Sequence, residues 1–297
     1  MKLEAAQRLR GAETVRSRVA VVTGAARGIG RASAIALANA GVDICGIDIC
    51  GPVDPRSGIR PSTVEDMQET GRLVEETGRR WRGLKLDQRN IQALRTAAKS
   101  IVEDFGGIDI LFANAGTQSF HPLLDMEDDD WSITIDTNLT GTANTIRAFA
   151  PYLVQRGGGR IIATASTQGQ HGALFGSAYS ASKWGIIGLV KSAAQELGPH
   201  GITVNALIPG LIDTPLTDHQ ERYAQVIQEQ KKTPTGDFEK DKAWAASILA
   251  PHSPLGIPWL HADDVAPIVV FLASEGARLV SGCTYAVDGG DTSWNAV

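Results

Sequence analysis

The stretch Val19-Ala20-Val21-Val22-Thr23-Gly24-Ala25-Ala26-Arg27-Gly28-Ile29-Gly30 decides how this chain is read. A short apolar run gives way to glycines spaced GxxxGxG, and the small residues Ala32, Ser33, Ala34 and Ala36 follow. That order reads as a buried strand, a tight turn and the start of a helix. Glycines in such a turn let backbone N–H groups and the positive helix end approach a pyrophosphate, so Gly24, Arg27, Gly28, Ile29 and Gly30 are candidate dinucleotide-binding residues. The Gly-Lys-Ser/Thr of nucleotide hydrolases is missing, which disfavours ATP or GTP hydrolysis.

Outward from this stretch, apolar runs and helical patterns keep alternating. Strands are expected at 18–23, 42–48, 81–85, 108–113, 159–166, 202–208 and 284–287, and helices at 30–40, 63–77, 91–105, 137–156, 177–197 and 262–273. Such alternation, with no linker between halves, implies one α/β domain over 18–297: a doubly wound parallel sheet of the Rossmann type with right-handed crossovers. Two segments break the rhythm. Residues 51–62, rich in proline and glycine, read as a loop inserted after the second strand. Residues 210–258, with amphipathic pieces punctuated by prolines, read as a helical lid over the substrate. Residues 1–17 read as a flexible leader, since they lack the apolar core of a signal peptide.

Composition excludes several classes of function. Of 297 residues 43% are hydrophobic and 21% charged, and 28 basic against 33 acidic side chains leave a net charge of −5. Without a basic excess or a run of like charges, nucleic acid is not an expected partner. No apolar stretch is long enough to span a bilayer. Three cysteines, Cys45, Cys50 and Cys283, form no CxxC pair or disulfide framework, which suits a reducing compartment and a cytoplasmic protein. Six histidines show no metal-ligand spacing, so no metal is expected.

The chemistry-bearing residues cluster at strand ends. Asp48 closes the second strand, where a carboxylate can accept both ribose hydroxyls of an adenosine and repel a 2′-phosphate. Arg27 pulls the other way, as a basic side chain able to hold a phosphate. Tyr179 and Lys183 stand four apart in the helical run SAYSASKWGIIGLVKS and so share one helix face. Ser166 closes GRIIATAS at the carboxyl edge of the sheet, and Asn138 falls within the preceding helix. Each has an ordinary alternative: a turn carboxylate, a core tyrosine, a solvated lysine, a strand-end hydroxyl, a helix amide.

Taken together, TGAARGIG, the ANAG of 113–116, Asn138, Ser166, Tyr179-x-x-x-Lys183 and Pro209-Gly210 followed by Thr214 resemble the short-chain dehydrogenase/reductase family, from about residue 18 to residue 290. The resemblance implies NAD as cofactor, with Asn114 and Gly116 on the adenosine side, Asp87 at the adenine, and Pro209, Gly210, Ile212 and Thr214 toward the nicotinamide. One position departs from the pattern, since the family often has a second Asn where Ala113 stands. The inserted loop after IDIC and the following TVEDMQETGRLVEETGRR resemble the carveol dehydrogenase-like branch, which includes mycofactocin-associated enzymes. That branch commonly has Gln where this chain has Ile29. Its insertion would cover bound NAD and slow its release.

The resemblance further implies interconversion of a secondary alcohol and a ketone. Tyr179 would be the acid/base, its pKa lowered by the Lys183 ammonium and by the cationic nicotinamide ring, with Ser166 on the substrate oxygen and Asn138 fixing a relay water. A mostly apolar pocket is expected from Gln168, His171, Leu174, Phe175, Leu211, Leu216 and Trp244, fitting a small or medium cyclic or terpenoid-like alcohol without an ionic anchor. A 3-oxoacyl carrier reductase and a non-catalytic NAD-binding regulator are the competing readings. A homotetramer is expected, with small apolar faces (Ala143, Ile146, Ala150, Leu153, Gly185, Gly188, Ala193) on two long helices.

Overall fold

A computed structural model describes residues 17–294, so the expected leader lies outside the described residues except for Ser17. In chain order the elements are β1 (Val19–Thr23), α1 (Gly28–Asn39), β2 (Asp43–Asp48), α2 (Val64–Glu75), β3 (Trp81–Lys85), α3 (Ile91–Phe105), β4 (Ile110–Ala113), α4 (Asp128–Ile135), α5 (Gly141–Gln155), β5 (Gly159–Thr164), α6 (Ser177–Leu197), β6 (Ile202–Pro209), β7 (Ile212–Asp213), α7 (Gln220–Glu229), α8 (Phe238–Leu249), β8 (Leu260–His261), α9 (Ala262–Ala273) and β9 (Thr284–Val287). Seven strands form one parallel sheet in the order β3-β2-β1-β4-β5-β6-β9. The order reverses between β1 and β4, which opens a crevice at their carboxyl ends.

The central strands are apolar on both faces because helices cover both. On one face Val21, Leu111 and Ile161 pack with Leu94, Phe149, Leu153, Ile186 and Val190 of α3, α5 and α6. On the other, Ala20, Val22 and Phe112 pack with Leu37, Met67, Val74, Val269 and Leu272 of α1, α2 and α9. Adjacent residues of one strand thus enter different cores, as the two-residue side-chain period requires. A third, small cluster of Tyr223, Val226 and Ala245 joins α7 to α8.

Three local differences from the sequence reading bear on the site. The helix expected at 137–156 is divided: a π-helical turn, Asp136–Thr140, precedes α5 and carries Asn138. Ahead of it stands the unanticipated α4, whose first turn holds Asp128, Asp129 and Asp130 and is capped reciprocally by Glu127 and Asp130; carboxylates there favour the positive helix end. β5 stops at Thr164, so Ser166 lies beyond it and caps a short 3-10 turn. The helix faces expected to mediate assembly mostly face inward instead. Ile146, Ala150, Leu153 and Ala193 belong to the core, while Trp184 on α6 and Trp131 on α4 are 53% and 44% exposed.

The glycine turn is held by close backbone approach. A Cβ on Gly30 would lie 2.0 Å from the Gly24 carbonyl oxygen and 2.9 Å from Asn114 Nδ2. Gly24 and Gly28 have φ of 69° and 56°, a region that L side chains rarely adopt. Gly30→Ala must force α1 away from the turn, because the obstructing atom is backbone. Urea unfolding is expected to show a loss of about 2 kcal/mol or more. An unchanged midpoint would contradict this packing.

Candidate active site

One cavity of about 430 Å³ runs along the carboxyl edge of the sheet. Its walls include Gly24, Arg27, Gly28, Ile29, Asp48, Asp87, Asn114, Gly116, Ser166, Tyr179, Lys183, Pro209, Gly210, Ile212 and Thr214. Gly30 and Asn138 are not in the lining. Gly30 lies beneath the turn, and Asn138 is fully buried behind the wall.

At one end, Asp48 is buried with its carboxylate accepting from the Ala26 N–H (3.0 Å), the Cys50 N–H (3.0 Å) and the Ser62 hydroxyl (2.6 Å). The Ala26 bond ties the end of β2 to the glycine turn, and Ser62 ties it to the inserted loop. Arg27 Nη1 is buried without a protein partner, and burial, with Arg60 nearby, holds its pKa below the usual arginine value. Asp87 is paired with Arg89 at 2.6 Å. The loop at 51–62 lines the cavity through Pro52, Val53, Ile59 and Pro61. It is held by Arg56, which pairs with Asp54, Glu127 and Asp130. It also reaches α7, where a Cβ on Gly58 would stand 3.1 Å from Glu221 Oε1.

At the other end, α6 presents Tyr179 and Lys183 to the cavity, both buried. Lys183 Nζ donates to the Thr164 carbonyl at 2.9 Å and lies 5.5 Å from the centre of the Tyr179 ring. Burial pulls the Lys183 pKa down to about 7, since a desolvated ammonium is disfavoured. For Tyr179 the protein's own groups give the opposite of the expected direction. Burial raises its pKa, partly opposed by its hydrogen bond with Ser166 and by the charge of Arg222. The lysine is aimed at a carbonyl and is itself weakened as a cation, so it does not deliver the expected lowering.

The side-chain amide of Asn138 is fully engaged: Oδ1 accepts from the Thr117 N–H (2.8 Å), and Nδ2 donates to the Thr117 carbonyl (3.0 Å) and to Ser182 Oγ (3.0 Å). A Cβ on Gly116 would meet Asn138 Oδ1 at 3.1 Å and Lys183 Nζ at 3.6 Å. Asn138 thus fixes the backbone beside the lysine.

The substrate side of the cavity differs from expectation at two residues. Gln168, His171, Leu174, Leu211 and Leu216 line it, together with Ile248 and Leu249 from α8. Phe175 and Trp244 do not. Phe175 sits at a positive φ of 61° with its carbonyl bound by the His121 N–H, and Trp244 lies under Lys232 on the outer part of the segment. Three polar residues that sequence reasoning missed, Gln118, Arg222 and Asp291, also face the cavity.

Among the described residues no helix is long and apolar enough to cross a membrane. The family model for short chain dehydrogenase matches residues 18–225. The (-)-trans-carveol dehydrogenase of Rhodococcus erythropolis is 36% identical over 94% of this chain and 98% of its own. The 3-oxoacyl-[acyl-carrier-protein] reductase of Staphylococcus aureus is 33% identical over 91% and 96%. The crystal structure of carveol dehydrogenase from Mycobacterium avium in complex with NAD superposes with a TM-score of 0.85 at 38% identity, covering 93% of this chain and 98% of that one. With the glycine turn, the Tyr179–Lys183 pair and this likeness along nearly its whole length, the chain belongs to the short-chain dehydrogenase/reductase family.

Proposed function

We propose that the protein is an NAD-dependent oxidoreductase that interconverts a secondary alcohol and a ketone, with Tyr179 as acid/base. The observation that carries this reading is that Tyr179, Ser166 and Lys183 share one cavity with the glycine turn and Asp48. The residues fit NAD. The glycine turn brings the start of α1 to the cavity wall, where a pyrophosphate would meet backbone N–H groups, Arg27 Nη1 is an orphaned buried donor, and Asp48 places a carboxylate where a ribose would bind and a 2′-phosphate would be repelled. NAD supplies the hydride acceptor.

Tyr179 takes the hydroxyl proton of the alcohol as its carbinol hydride departs, or returns it in reduction. Ser166 positions the reacting oxygen beside Tyr179, with which it shares a hydrogen bond. Lys183 serves the nicotinamide ribose, and Asn138 holds the Thr117 backbone and Ser182 around it. The loop at 51–62 and the segment at 210–258, which approach one another at Gly58 and Glu221, act as covers. A 3-oxoacyl carrier reductase is less well supported, because Asp48 disfavours NADP and the loop at 51–62 sets the chain apart. The full set of acid/base residues speaks against a non-catalytic regulator. The exposed Trp131 and Trp184 on α4 and α6 support a homotetramer as the assembled form.

In an assay against cyclic and terpenoid alcohols, NAD is expected to outperform NADP, and Tyr179→Phe to lower kcat at least about a hundredfold while NAD affinity stays near that of the wild type. NADP preference, or substantial turnover by the phenylalanine variant, would refute the assignment. Light scattering is expected to give four times the 31.5 kDa chain mass. A single-chain mass at micromolar concentration would remove the tetramer.

A further inference from the structure

Arg222 is the outlier on the substrate side. It projects from α7 into the cavity that holds Tyr179, yet it is only 7% exposed. Its guanidinium lies 5.0 Å from the centre of the Phe120 ring, which in turn stands 6.5 Å from the Tyr179 ring. Among the described residues no carboxylate comes within ion-pair distance of it. Nη1 donates to Gln225 Oε1, whose own amide donates to Glu229, while Nε is buried with no partner at all. Leaving such a donor unpaired is costly, and surface readings of a helix cation do not account for it.

A second orphan belongs to a residue of the same cavity wall. Gln168 Oε1 is buried without a partner. It lies beside Phe120, since a Cβ on Gly176 would stand 3.2 Å from that oxygen and 3.3 Å from Phe120 Cε1. Its backbone N–H donates to Ser166 Oγ at 3.2 Å, which fixes it next to the reacting oxygen's position. Residues of this cavity wall therefore carry an unused donor, Arg222 Nε, and unused acceptors, Gln168 Oε1 beside the reacting oxygen and Gln118 Oε1.

We infer that Arg222 and Gln168 together recognise a second hydroxyl on the substrate, so that the enzyme's substrates are diols and the matching hydroxyketones rather than simple mono-alcohols. This rests on the dehydrogenase reading above. A hydroxyl alone satisfies both orphans, accepting from Arg222 Nε and donating to Gln168 Oε1. A carboxylate fits less well: it has no proton for Gln168, and the charge of Arg222 is already opposed by Glu229 through Gln225. In the reaction, one carbinol loses its C–H hydride to NAD and its O–H proton to the Tyr179 oxygen, becoming a ketone. The second hydroxyl is bound and unchanged.

The test compares kcat/KM with NAD for cyclohexanol, the vicinal and non-vicinal cyclohexanediols, and a hydroxycyclohexanecarboxylate, using wild type and Arg222→Met. The best diol is expected to exceed cyclohexanol by about tenfold or more in the wild type, and this ratio should collapse toward parity in Arg222→Met. Parity in the wild type, an unchanged ratio in the variant, or a preference for the carboxylate would overturn the inference while leaving the dehydrogenase reading standing. Failure of every alcohol to reduce NAD would overturn both. Should Arg222→Met lose its thermal unfolding transition, Gln168→Leu takes its place: a collapsed ratio supports the inference, and an unchanged one refutes it.

Discussion

The side-chain amide of Asn114 is the joint on which the rest of the site depends. Its Nδ2 donates to the Thr23 carbonyl at the end of β1, and its Oδ1 accepts from the Thr164 hydroxyl at the end of β5. Thr23 Oγ1 in turn accepts the backbone N–H groups of Asn114 and Ala115, and the Thr164 carbonyl accepts from Lys183. One side chain thus clamps three strand ends at the point where the sheet order reverses. It also sets the ceiling on the glycine turn, since Cβ atoms at Gly24 and Gly30 would lie 3.0 and 2.9 Å from Nδ2. The glycine turn and Lys183 are therefore placed by the same residue.

Burial makes this site chemically unfinished by itself. A tyrosine and a lysine enclosed together are each pushed toward their neutral forms, Tyr179 upward and Lys183 to about 7. A tyrosine raised in this way is poorly suited to proton abstraction at neutral pH. A cationic nicotinamide ring brought into the cavity would favour the tyrosinate, so under the proposed mechanism the acid/base would become competent only where hydride transfer is also possible.

What could be read from the sequence was what local spacing encodes. The strand and helix periods gave the sheet, and the four-residue step from Tyr179 to Lys183 gave a shared helix face, because both follow from backbone geometry. Contacts between distant segments were not legible. Ser62 reaches Asp48 only because the inserted loop folds back, and Arg222 meets Phe120 only because α7 closes over the cavity. Phe175 and Trp244 are apolar and near the site in sequence, yet a positive φ and the outer face of the segment direct them elsewhere. The π-helical turn at Asn138 interrupts an apolar pattern that continues through it, so periodicity passed over the break.

The central claim, that Tyr179 is an acid/base activated by the cofactor bound at Asn114's clamp, is tested most directly without knowing the substrate. Near-ultraviolet tyrosinate absorbance is titrated with pH in wild type minus Tyr179→Phe, with and without oxidised NAD. The account predicts that Tyr179 ionises above the usual tyrosine value of about 10 in the protein alone and at markedly lower pH once NAD is bound. A titration that NAD leaves unmoved, or that already lies near neutrality without it, would contradict the account.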